Sequence, residues 1–142
     1  MVKQTRMKKL IQTRFGDFEY AQGEDVATRD NSYATVIACL IGLNSPEDCL
    51  QIQEYFTEKE NDAVWMLMLG LWLEERGYDW GSIDGHKYDN SYYIVVGESL
   101  RGTTHACIYK NGELWHDPHP DNTGLLSEEF YEYVTPLTTI FQ

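Results

Sequence analysis

Ser32, His105 and Asp117 are far apart in the sequence, but a hydroxyl, an imidazole and a carboxylate together can run acyl transfer. In such a set the imidazole takes the nucleophile's proton and the carboxylate holds the imidazole in place. Ser32 stands in "RDNSYATVIACLIGLN", directly before the apolar run Ala34–Ile41. A helix beginning there offers unpaired N–H groups and a positive dipole end. Both lower a thiol's pKa and can hold an oxyanion. Position 32 has that location, with a hydroxyl in place of a thiol.

The other two residues sit in "THACIYKNGELWHDP", two β-prone runs around Asn111-Gly112 and hence a hairpin signal. A two-residue turn puts Ala106 opposite Asp117 and sends His105 and Asp117 to opposite faces. A three-residue loop, Lys110-Asn111-Gly112, sets Tyr109 against Glu113 and His105 directly against Asp117. Only the second makes a cross-strand His–Asp pair.

These residues must be positioned by a small set of elements. Three helices are predicted in the first half: Ser32–Ile41 stopped by Gly42, about Pro46–Thr57, and Asp62–Arg76 stopped by Gly77. "NSPED" reads as the second helix's start, with Ser45 as N-cap and Pro46 at the first position. The third is apolar around most of its circumference and is expected to be deeply buried. The first thirty residues read as irregular, with a short extended piece at Leu10–Phe15. A strand at Tyr92–Gly97 precedes the hairpin, a short acidic helix is expected from Ser127, and "TTIFQ" reads as a last strand. Helices followed by antiparallel strands predict an α+β fold.

At 142 residues, with 42% apolar residues and ten Tyr, five Phe and four Trp, the chain is expected to be one domain (1–142) with a substantial core. A net charge of −12 argues against phosphate-based nucleic-acid binding and against an anionic membrane surface. Cys39, Cys49 and Cys107 are odd in number and lack metal-type spacing, which favours a reducing compartment. The basic start lacks a signal peptide's apolar stretch, and "AVWMLMLGLWL" is too short to span a bilayer. A cytoplasmic location is expected.

"NSYATVIACLIGL", "WLEERGY" and the stretch from "YIVVGES" to "HDPHPDNTGL" resemble a family of small bacterial and phage papain-like cysteine hydrolases, and more distantly the bacteriocin-leader peptidases. The likeness runs from about Ile11 to Leu126 and is most specific at "HDPHP". It implies a papain-like fold in which N-terminal helices pack on a small antiparallel sheet. It places the family's nucleophilic cysteine at Ser32, its base at His105 and its orienting residue at Asp117. For the oxyanion-hole glutamine it suggests Gln12 first and Gln22 second. The serine admits three explanations: an engineered Cys-to-Ser replacement, a natural loss of the nucleophile, or a true serine nucleophile. Read without chemistry, Ser32, like Asp30 or Asn31, is an N-cap.

Trp65 or Trp72 is a candidate for a substrate groove, Arg101 for binding a substrate carboxylate, and His119 for lining the site or supporting the turn at Pro118 and Pro120. Their plainer roles are core packing and a solvated loop. A metal at His116, Asp117 and His119 is disfavoured because adjacent strand residues point to opposite faces. His86 is expected to be solvent-exposed.

The chain is therefore expected to be a thiol hydrolase by design, acting on a peptide, isopeptide or other amide that includes a host protein as one candidate. It requires no cofactor, and with serine at position 32 it has little or no activity. The alternative is a non-catalytic acidic binding protein, such as a phage-encoded inhibitor of a host factor. A small serine esterase is a third.

Overall fold

A computed structural model describes residues 7–16, 26–56 and 62–137. It is α+β, with two α-helices and one five-stranded antiparallel sheet. The helices are α1 (Ser32–Ile41) and α2 (Asp62–Glu75). The strands are β1 (Tyr78–Ile83), β2 (Tyr92–Glu98), β3 (Thr104–Lys110), β4 (Glu113–His116) and β5 (Phe130–Pro136), in the spatial order β1-β5-β2-β3-β4.

Helix α1 begins and ends where its sequence says it should. Gly42 takes the left-handed conformation at φ 75°. Its N–H donates to Cys39 O, and that of Leu43 to Ala38 O, which closes the last turn. Every residue of α1 is buried, because the helix lies between the sheet and the segments around it. Strand alternation splits the sheet's side chains. Ile94, Ala106, Ile108 and Val134 join α1 in the main core, while Tyr93, Val95, Cys107 and Tyr109 pack together on the other face. Next to Ser32, Tyr33 pins the helix to β5. Its hydroxyl bonds the Glu132 carboxylate, and Trp80 Nε1 donates to both at 3.1 Å. Burial raises the Glu132 pKa, while the Tyr33 and Trp80 bonds oppose that rise.

The second predicted helix is instead two 3₁₀ turns, Pro46–Asp48 and Ile52–Tyr55. Ser45 does cap its start, accepting from Glu47 N. The break comes from Gln51, whose Nε2 donates to Pro46 O and Cys49 O, carbonyls that a continuing helix would give to its own N–H groups. Residue 57 lies outside the described residues.

The third helix forms over the expected span, with Gly77 past its end at φ 87°, but it is not deeply buried. Among its described residues Leu69 and Leu73 are fully buried, whereas Val64, Leu67 and Leu71 are at least half exposed. It packs along one stripe, against β1 and Ile52–Tyr55. Among the described residues no helix is long and apolar enough to cross a membrane.

Strand β1 had no sequence signal, since "YDWGSI" mixes Asp, Gly and Ser into a poor strand former. Pairing with β5 from Tyr78↔Pro136 to Ile83↔Tyr131 overrides that propensity. The acidic helix expected from Ser127 is absent. Leu126 N donates to Glu98 O, Glu129 N to Val96 O, and Ser127 Oγ accepts from Glu98 N, so the segment runs extended along β2 into β5. "TTIFQ" lies outside the described residues.

This extended crossing is possible because residue 97 has no side chain. A Cβ on Gly97 would stand 1.8 Å from Ser127 O. Gly97→Ala is expected to lower the unfolding free energy by about 1–3 kcal/mol, read by urea denaturation. Gly85→Ala, in open space, should change it by less than about 0.5 kcal/mol. Equal costs at the two positions would show that the crossing is not tight.

Candidate active site

The hairpin reaches its geometry by a route the sequence left undecided. Its turn is the two-residue one. Asn111 and Gly112 both have positive φ, 51° and 81°, and Lys110 pairs with Glu113 and Tyr109 with Leu114. The three-residue loop is therefore not adopted. A bulge follows at once, and Ile108 pairs with His116, leaving Trp115 as the extra residue. Beyond the bulge the shifted register carries Asp117 past Cys107, onto the face that also bears His105. The direct His105–Asp117 pair that the three-residue loop would make is replaced by a diagonal one, which a long imidazole spans easily.

His105 Nε2 lies 2.6 Å from Asp117 Oδ1, with both side chains fully buried. The carboxylate also accepts from His119 N at 2.9 Å and Gly124 N at 2.8 Å. Burial alone would raise its pKa, but the bonds from His105, His119 N and Gly124 N outweigh that and bring it down to about 2. The second imidazole nitrogen, Nδ1, is buried and has no hydrogen-bond partner.

Ser32, the first residue of α1, is 1% exposed. Its Oγ accepts from Ala106 N at 3.3 Å. Backbone dimensions then keep the hydroxyl within about 6 Å of the His105 Cα. Ser32 and His105 are not hydrogen-bonded to each other.

Gln12 arrives on a strap, residues 10–16, laid across the start of α1. His116 Nε2 contacts Leu10 O at 2.6 Å, Gln12 N donates to Pro118 O, and Asn31 Oδ1 accepts from both Thr13 N and Arg14 N. Asn31 holds the N-cap position yet makes no side-chain cap bond, because its side chain serves the strap. Capping falls to Asp30, whose Oδ1 accepts from Ser32 N at 2.7 Å. Its Oδ2 accepts from Gln12 Nε2, also at 2.7 Å. The sequence offered Asp30 and Asn31 only as caps. Their second role had no signal, because the strap's path is set by tertiary contacts. Gln22 lies outside the described residues.

His119 and Phe15 pack in turn outward from His105. The His119 ring packs 6.2 Å from that of His105 and 5.4 Å from that of Phe15, which is 53% exposed. His119 Nδ1 accepts from Asp121 N, so the residue also supports the turn. Arg101 pairs with Asp121 on the same loop. Trp72 is not brought to this site. It lies on α2, which packs against β1 at the opposite edge of the sheet, and its ring stacks under Arg76. His86 is not solvent-exposed as expected. It is half-buried, in contact with Tyr93 Oη at 2.7 Å and Glu128 at 2.6 Å.

Among the described residues, His105, Cys107 and Asp117 bring one possible metal-ligating atom each to within 4.8 Å of one another. The group does not fit a metal well. The Asp117 oxygens are occupied by His105 Nε2 and two backbone N–H groups, and the Cys107 thiol lies beside the same carboxylate. Burial and the Asp117 charge push that thiol's pKa up, away from the thiolate a metal needs. Burial likewise raises Cys39 to about 11 and Cys49 to about 12, so none of the three is poised as a nucleophile.

No protein-family model, no curated protein and no solved structure matches the chain.

The depressed Asp117 pKa fixes a pH window. A carboxyl with a lower pKa folded than unfolded stabilises the fold above the unfolded value and loses that contribution as pH falls. Asp117→Asn is thus expected to cost about 2 kcal/mol near neutral pH. The difference from the unsubstituted chain should shrink as pH falls from about 4 to about 2, followed by urea unfolding across that range. A difference that stays constant would disprove the buried, ionised role of Asp117.

Proposed function

We propose that the chain is built as a papain-like thiol hydrolase acting on a peptide, isopeptide or other amide, with serine standing at the nucleophile position. The observation that carries this reading is the meeting of residues distant in sequence. Ser32 Oγ lies against the Ala106 amide, and the neighbouring His105 is held through Nε2 by Asp117 while Nδ1 stays unpartnered. An imidazole fixed at one nitrogen and free at the other is what a general base requires.

In the reaction, His105 Nδ1 takes the proton from the group at position 32, whose heteroatom attacks the acyl carbon. The electron pair of the C=O bond moves onto oxygen, toward the Ser32 N–H and the Gln12 amide. His105 then returns the proton to the departing amine, and water releases the acyl group by the reverse sequence. Asp117 keeps the ring oriented throughout. A hydroxyl is a poor substitute in a site that suits a thiolate, because its pKa is far higher. The unsubstituted chain is accordingly expected to turn over little or no amide.

The test restores the thiol. Ser32→Cys should be alkylated by iodoacetamide much faster than Cys39, Cys49 and Cys107, whose thiols are held protonated by raised pKa values. Adding His105→Ala should slow that alkylation by about 100-fold or more. If the thiol at position 32 fails to react, or reacts equally without the imidazole, the hydrolase reading falls. A non-catalytic acidic binding protein then becomes the better account.

A further inference from the structure

The helix start places an anion of the chain's own where the proposed chemistry needs a vacancy. Both groups assigned to the oxyanion, the Ser32 N–H and Gln12 Nε2, donate to one carboxylate, that of Asp30, at 2.7 Å each. The local bond alone would be an ordinary cap, since an Asp side chain often accepts from the N–H two residues on. The bond to Gln12 is different. It is buried, reaches 18 positions along the chain, and joins a side chain only 2% exposed. The remaining N–H of Gln12 is spent on Arg14 O, while its Oε1 is buried without a partner. The amide is thus oriented by Asp30, with no donor left over.

We propose that Asp30 is an internal stopper of the oxyanion site, so that the chain is held inactive by two independent features, the hydroxyl at position 32 and the carboxylate at position 30. This deepens the hydrolase reading and rests on it. A substrate carbonyl has to displace Asp30 before its oxygen can reach either donor. While Asp30 stays, its negative charge opposes the negative oxygen that forms in the transition state.

The two features separate with two probes on the full-length Ser32→Cys protein. Iodoacetamide reacts by displacement at a saturated carbon. The sulfur–carbon bond forms as iodide leaves, and no oxyanion arises. p-Nitrophenyl acetate is attacked at its carbonyl. The carbon–sulfur bond forms, the C=O pair moves to oxygen, and collapse expels p-nitrophenolate to leave an acetyl thioester. Asp30→Ala, added to Ser32→Cys, is expected to raise the ratio of acylation to alkylation rate about tenfold or more, given what one oxyanion donor is worth. Asp30→Asn keeps the residue's size but turns an N–H toward Gln12, and should move the ratio the same way by less. It decides the matter if the alanine variant does not fold. Gln12→Ala on top of Asp30→Ala should remove most of the gain. A ratio that is unchanged or lowered without Asp30, or a gain that survives loss of Gln12, overturns the stopper. Failure of the hydrolase reading itself looks different, since alkylation then no longer depends on His105.

Discussion

The Asp117 carboxylate is the constraint on which the rest of the site hangs. A charge taken out of water is tolerated only when donors replace its hydration. Here they come from three places: the imidazole of β3, the turn at His119 and the loop at Gly124. Satisfying one anion therefore fixes the His105 ring, closes the 117–124 loop and holds the end of β4 against β3. The thiol of Cys107 lies beside this carboxylate, and burial together with the Asp117 charge holds its pKa up. Because Nε2 is committed to this shell, Nδ1 is the nitrogen left without a partner.

Much of this was legible in the sequence because it depends on local rules. The ends of α1, the cap at Ser45, the span of α2, the strand β2 and the Asn111-Gly112 turn each follow from residues that favour one backbone conformation. The His–Asp pair was legible as a possibility, and its face was not. The bulge that brings Asp117 round is an insertion of one residue, Trp115, with nothing in its own chemistry to announce it. The same limit applies to Gln51, which breaks a helix by reaching back to carbonyls, and to α2, whose apolar girth suggested burial that the fold supplies along one stripe only. Strand β1 exists because β5 offers it an edge.

Polar contacts rather than apolar burial join the strap to the helix start. Asn31 is fully buried and spends its side chain on Thr13, Arg14 and Gln51. Such a network is specific because each donor and acceptor must be matched. It explains how a glutamine 20 positions before Ser32 in the sequence comes to touch the same carboxylate as the Ser32 amide. An unusual spacing along the chain is thus compatible with a compact arrangement in space.

The contact between Ser32 Oγ and the Ala106 amide closes a loop of 74 positions. Long-range closures of this kind are late events in folding. On a ribosome, the segment bearing α1 emerges on the order of ten seconds before residue 117 does. Throughout that interval the group at position 32 has neither its imidazole nor its oriented amide. Under the proposed hydrolase reading, a nascent chain carrying a thiol there would have no machinery to act on its surroundings until nearly the whole sheet had formed.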